Sequence, residues 1–403
     1  MVYDMKVSST FSLFLTAFLL STVGCATQDE ASSATDSATV LSSAVEDSES
    51  FETQPVSEME DDLYHDYLEI GGHVALIVGV GEVMDSGYNE AALNGAKTYA
   101  QAAGVSYSYY NTAYDSPEAY EQTALHAIQN HAKVLVCAGP HFEQVVGKLQ
   151  HQYEDVTFLL LDGVPKDSSG SEVAISKNVF CITYNEEEAG YLAGYITVLD
   201  GYRNFGFIGG EQMPSVERFG YGYLQGINDA AVSLEIADEI SVEYWYSGTF
   251  LPSQEIEDYS GKWYQNGTQV IFACGGSLYQ SVLISAERYD GKIIGVDSDQ
   301  SDISECFLTS AMKGVEASVI HALDEYYAYG GSWPVEMAGT VASYDSTNKG
   351  ITLPLSDSAW RFQTVTLEEY IEVFHALSNG SFEVSDDISS HPDIAISVNY
   401  HNE

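Results

Sequence analysis

From about residue 73 onward, the apolar positions fall in short unbroken runs that close on Gly or Asp. They are His73 to Gly79, Val105 to Tyr110, Lys133 to Gly139, Val156 to Asp162, Asn178 to Thr183, Phe205 to Gly210, Ile240 to Tyr246, Gln269 to Gly275 and Lys292 to Asp297. Continuous apolarity, as in Val-Leu-Val-Cys (134 to 137) or Phe-Leu-Leu-Leu (158 to 161), predicts strands buried on both faces, and therefore parallel sheets. The segments between them carry helical spacing, for example Ala91, Ala92, Gly95, Ala96, Tyr99 and Ala100, or Leu192, Ala193, Ile196 and Leu199. Nine strand–helix alternations are too many for one open sheet and enough for two of five to six strands, about the usual sheet size. The expected fold class is α/β, with two doubly wound lobes. Such sheets bind ligands outside the carboxyl ends of their strands, where the closing Gly and Asp residues stand.

Charge narrows the ligand. With 60 Asp and Glu against 14 Lys and Arg, the 403-residue chain carries a formal charge of −46. That field repels phosphate backbones and anionic headgroups, so no nucleic-acid partner is expected, and neutral or cationic ligands are favoured. A hydrophobic fraction of 45% is ordinary for a globular chain.

The first 25 residues read as a signal peptide. Lys6 precedes an apolar stretch from Phe11 to Val23 that is too short to span a bilayer. Gly24-Cys25 then resembles the end of a bacterial lipobox, with Thr22 where leucine is usual, which leaves acylation of Cys25 or simple cleavage open. Residues 26–70 hold 13 acidic residues and no Lys or Arg, so 26–71 reads as a disordered, solvated tether. Cys137, Cys181, Cys274 and Cys306 sit in or beside apolar runs as small buried hydrophobes, with a pairing left open.

Catalytic signatures are sparse. Gly79-Val80-Gly81 starts a dinucleotide fingerprint, but Met84 takes the third glycine's place, and no phosphate loop follows. There is no His-Glu-x-x-His, Gly-x-Ser-x-Gly or paired Cys-x-x-Cys, and His141, His151 and His391 read as scattered surface or core residues. No catalytic residue, cofactor or metal is expected.

A series of segments in fixed order resembles the basic membrane protein family, the substrate-binding lipoproteins of ABC importers typified by the purine nucleoside receptor. They are Asp85-Ser86-Gly87-Tyr88-Asn89, Phe158 to Asp162, Asn185 to Gly194, Gly206 to Gly210, Arg218-Phe219, Cys274-Gly275-Gly276, Ile294 to Gln300 and Thr309 to Lys313. The likeness spans about residues 72–380. It implies the type I periplasmic-binding-protein fold, its two lobes joined by three crossings of the chain. Lobe one is then expected over 72–183 plus 306–340 and lobe two over 184–305 plus 341–380, leaving 381–403 as a tail. It also implies a nucleoside ligand, ABC permease subunits as partners, a monomer, and a lipid anchor through Cys25 as the one membrane contact, on the extracytoplasmic face of the cell membrane.

Carried onto this sequence, the resemblance implies that Tyr88 and Phe219 sandwich a planar base. Asn89 and Asp162 read its edge. Asp297 accepts the ribose hydroxyls, and Lys313 with Gly275 and Gly276 completes the sugar site. Gly79 departs from the family, which commonly has an aspartate there, and Tyr88 replaces a phenylalanine. The ligand class therefore stays open between a nucleoside and a sugar or signalling molecule, with a nucleoside-processing enzyme on the same scaffold as a third reading.

Overall fold

The structure, a computed structural model, describes residues 73–401. The signal peptide, Cys25 and the tether therefore lie outside the described residues. All nine apolar runs form strands: β1 (His73–Val78), β2 (Tyr107–Asn111), β3 (Ala132–Ala138), β4 (Thr157–Leu161), β5 (Val179–Tyr184), β6 (Asn204–Gly209), β7 (Ser241–Tyr246), β8 (Val270–Cys274) and β9 (Lys292–Asp297). Four more follow, β10 (Phe307–Lys313), β11 (Thr340–Tyr344), β12 (Ile351–Thr352) and β13 (Ser397–His401). The helices that place the site are α1 (Tyr88–Ala103), α2 (Pro117–Gln129), α3 (Glu143–Leu149), α4 (Glu186–Leu199) and α5 (Pro214–Ser233), then α6 (Gln254–Gln265), α7 (Tyr279–Tyr289), α8 (Val315–Ala328) and α9 (Leu367–Ser378).

The strands make two sheets, ordered β11-β5-β4-β3-β1-β2 and β12-β10-β9-β8-β6-β7-β13. Every pairing is parallel except the short β10–β12 contact. The unbroken apolar runs follow from this layering, because alternate residues of one strand feed different cores. In β1, Leu76 and Val78 face one cluster while Ala75 and Ile77 face another, and in β8 Phe272 and Ile271 divide in the same way.

The lobe boundaries need correction in three places. Strand β10, expected in lobe one, pairs with β9 in the second sheet, and the chain returns to the first lobe only with α8, which packs on α1. Strand β11, whose larger part was expected in lobe two, pairs with β5 in the first sheet. The expected tail supplies β13, which extends the second sheet along β7. The physical reason is pairing: an open edge of backbone N–H and C=O groups accepts any strand that the chain can deliver to it. The three crossings therefore follow β5, β10 and β11.

Helices α4 and α5 pack unusually closely because glycine lines the contact. A Cβ on Gly222 or Gly226 would collide with the carbonyl of Glu187 or Tyr191. This contact holds Phe219 and Arg218, on α5, against the start of α4. Cys137, Cys181, Cys274 and Cys306 are all free thiols, the first three buried.

Candidate binding cleft

Each sheet reverses its winding direction once, between β1 and β3 in the first and between β6 and β8 in the second. The strand ends at and beside these reversals face one cleft of about 760 Å³, part of it open to solvent. Tyr88, Asn89, Asp162, Phe219, Gly275, Gly276, Asp297 and Lys313 all line it.

Local capping sets the entrance. The Asp85 carboxylate accepts backbone N–H bonds from Gly87, Asn89 and Glu90, at 2.9, 3.2 and 3.1 Å, and so satisfies the open end of α1. That fixes Tyr88 and Asn89 in the first turn. The Asn89 amide donates to the Glu82 carbonyl at 3.2 Å, whereas the Tyr88 hydroxyl is buried with no hydrogen-bond partner among the described residues. Across the cleft, Gln300 Nε2 donates to the Ser86 carbonyl at 2.9 Å and Ser298 Oγ to that of Gly87 at 3.3 Å, which links the two lobes.

Asp162 and Asp297 close β4 and β9 with φ of 56° and 65°, a left-handed backbone that Asp tolerates better than most residues. Both carboxylates are thereby turned toward Lys313, whose Nζ lies 2.7 Å from Asp162 Oδ2, 3.2 Å from Glu186 Oε1 and 3.6 Å from Asp297 Oδ1. Glu186 is held in turn by Arg218 Nε at 2.7 Å. Lys313 is the last residue of β10. Burial alone would lower its pKa, but Asp162, then Glu186 and Asp297, carry it above the ordinary lysine value. Burial pushes Asp297 up to about 7 against the opposing pull of Lys313, and burial pushes Glu187 up to about 8. One oxygen of Asp162 and one of Glu187 are buried without a hydrogen-bond partner.

The Lys313 ammonium also sits 4.7 Å from the Tyr88 ring centroid, 5.4 Å from that of Phe219 and 5.3 Å from that of Tyr184. The two aromatic rings singled out in the sequence therefore reach the same point from opposite lobes. Phe219 packs edge-to-face on Phe272 at 5.9 Å and lines the cleft as well. Gly275 and Gly276 have φ of 126° and 52°, and a Cβ on either would lie 2.7 or 2.8 Å from Phe250. Glycine is needed there for conformation and for room.

Sequence reading missed Phe250, His141 and the role of Glu186. Phe250 lies in a loop with no motif, and only the fold brings it over Gly275. Glu186 was visible inside Asn185-Glu-Glu-Glu, but nothing local marks which glutamate turns inward. No group of three or more His, Cys, Asp or Glu side chains among the described residues could hold a metal ion.

Residues 73–375 match the model of the family described as "ABC transporter substrate-binding protein PnrA-like". The chain belongs to this family. Basic membrane protein D of Borreliella burgdorferi (strain JD1) is 26% identical over 247 residues, covering 60% of this chain and 68% of that protein. Basic membrane protein B of Borreliella burgdorferi (strain ATCC 35210 / DSM 4680 / CIP 102532 / B31) is 30% identical over 168 residues, 41% of this chain and about half (48%) of that relative's length. Among solved structures, an ABC transporter solute-binding protein from Conexibacter woesei DSM 14684 aligns with a TM-score of 0.60 at 20% identity, covering 78% of this chain and 98% of that one. One from Aeropyrum pernix K1 aligns with a TM-score of 0.60 at 19% identity, covering 78% and 88%. The structural likenesses establish the fold, two lobes of the type I periplasmic-binding class, and membership of this family makes the chain a substrate-binding protein. No helix of the described residues is long and apolar enough to cross a membrane.

Proposed function

We propose that this protein is an extracytoplasmic receptor that captures a nucleoside between its lobes and delivers it to an ABC permease, anchored to the membrane through an acylated Cys25. The observation that carries the reading is the meeting of Tyr88 and Phe219, from opposite lobes, around a buried cluster of Asp162, Asp297 and Lys313. Two aromatic faces suit a flat base, and each stack contributes about 1–3 kcal/mol. Carboxylates fixed at strand ends suit hydroxyl and N–H donors, so Asp297 takes the ribose hydroxyls while Asn89 and the unpartnered oxygen of Asp162 take the base edge. Lys313 and the Gly275-Gly276 turn complete the sugar side. The protein acts by binding and closure rather than by catalysis, as a monomer.

A second reading, a receptor for a sugar or signalling molecule, is favoured by Gly79, which leaves the end of β1 without a side chain at the cleft. Mass spectrometry of the small molecule that copurifies with the protein separates the two, followed by calorimetry with inosine, adenosine, guanosine and cytidine. Tight binding of a free sugar with no response to any nucleoside would overturn the nucleoside reading.

A further inference from the structure

Gly79 leaves a space bordered by His141, with Tyr120 Cε1 3.9 Å from a Cβ placed there. A Cβ placed on Gly79 would lie 3.3 Å from Cδ2 and 3.9 Å from Nε2 of His141. A Cβ placed on Gly139 would lie 3.9 Å from the same Cδ2 and 4.0 Å from Cε1 of Tyr88. The Cδ2–Nε2 edge of His141 therefore looks into the cleft beside Tyr88, at the ends of β1 and β3.

The ring is held from behind. Its far face stacks on Tyr120 at 5.2 Å with an interplanar angle of 10°, and Tyr120 donates its hydroxyl to Asp115 at 2.9 Å. The turn Pro140–Phe142 gives the backbone support, with Phe142 buried against Tyr120. Neither ring nitrogen of His141 has a hydrogen-bond partner among the described residues, although a half-buried polar ring on a cleft wall calls for one. Glu143, the other nearby carboxylate, is taken by Lys166 at 2.7 Å.

We propose that His141 is a specificity-determining residue of this cleft, reading the outer edge of a bound purine at its 6-position through Nε2. The inference rests on the nucleoside reading and adds to it the part of the base that is recognised. Burial holds the imidazole below its ordinary pKa, against the pull of Asp115 and Glu143, so the ring is neutral at pH 7. A neutral imidazole donates from one nitrogen and accepts at the other, and the two tautomers exchange these roles. With Nδ1 uncommitted, Nε2 donates to a 6-keto oxygen or accepts from a 6-amino group. A carboxylate in that place would accept only. The site therefore takes both keto and amino purines, and prefers either to a purine with nothing at that position.

The test is calorimetry with inosine, adenosine and purine riboside, which lacks a 6-substituent, on the wild type, His141→Phe and His141→Gln. Phenylalanine keeps a flat ring on Tyr120, and glutamine keeps a donor and an acceptor. A neutral hydrogen bond corresponds to roughly a three- to tenfold preference, so wild type should bind inosine and adenosine about that much more tightly than purine riboside. His141→Phe should erase the gap, and His141→Gln should keep most of it. A gap that survives in His141→Phe, or an equal loss for all three ligands, overturns the role of His141 and leaves the nucleoside reading standing. Failure of all three to bind the wild type overturns the nucleoside reading and this inference with it.

Discussion

Asp162 and Lys313, 151 positions apart in the chain, form a buried ion pair at 2.7 Å that joins the end of β4 in one lobe to the end of β10 in the other. The pair spans the cleft floor at one of the three points where the chain crosses between lobes. It couples lobe geometry directly to the charges that would meet a ligand.

Removing the cation should therefore be costly. Lys313→Met leaves Asp162, Glu186 and Asp297 buried with only Arg218 nearby, and breaking a buried pair from one side costs about 3–5 kcal/mol. Urea unfolding should show that loss at neutral pH. It should shrink on acidification, because protonated carboxylates no longer need the ammonium. An unchanged midpoint would mean that the cluster is not held as described.

Asp297 supplies a pH signature with a definite sign. Burial pushes its pKa up to about 7 in the folded protein from the ordinary aspartate value of 3.8, so between those values the folded state keeps a proton that the unfolded chain has lost. Stability from this group is therefore greatest below about pH 4, falls as pH rises, and is fully lost above about pH 7. Asp297→Asn carries no such proton and tolerates the same left-handed backbone. Unfolding midpoints measured from about pH 5 to about pH 8 should show the variant gaining on the wild type as pH rises. A constant difference would contradict the assignment.

The same residue should dominate sugar recognition. Above about pH 7, where Asp297 is ionised, Asp297→Ala removes hydrogen bonds to a charged acceptor, each contributing about 1.5–3 kcal/mol, so nucleoside affinity should fall by at least tenfold. The wild type should prefer a ribonucleoside over its 2′-deoxy form, and that preference should shrink in the variant because the partner of the missing hydroxyl is already gone. Equal ribo and deoxy affinity in the wild type would rule out Asp297 as the ribose acceptor.

Phosphorylated ligands should be rejected. At about pH 8, where Asp297 is ionised, a phosphate dianion entering beside Asp162, Asp297 and Glu186 meets negative charge that Lys313, already shared among all three, does not offset. Inosine 5′-monophosphate should bind about tenfold more weakly than inosine, or worse. Calorimetry showing the reverse would sink the nucleoside reading of the cluster.

Anchoring is tested at Cys25. The Cys25→Ser variant should move from the membrane fraction to the soluble fraction, and wild-type protein should incorporate labelled fatty acid. Wild type that stays unlabelled would leave cleavage without acylation.

The sequence by itself determined the layered α/β architecture, because burial on both faces of a parallel strand demands unbroken apolar runs such as Leu135 to Cys137. Its resemblance to the basic membrane protein family also singled out eight positions, all of which line the cleft. Strand membership was decided only in three dimensions. β10, β11 and β13 are short runs whose sheet depends on which open edge the chain reaches, and edge pairing leaves little local trace in composition. The same holds for the chemistry between elements. Glu186 points at Lys313 and Arg218 because α4 and α5 close on glycines, Phe250 covers Gly275 from an unmarked loop, and His141 faces the cleft because Gly79 leaves it room. Each of these contacts joins residues far apart in the chain, so no periodicity within one element could encode it.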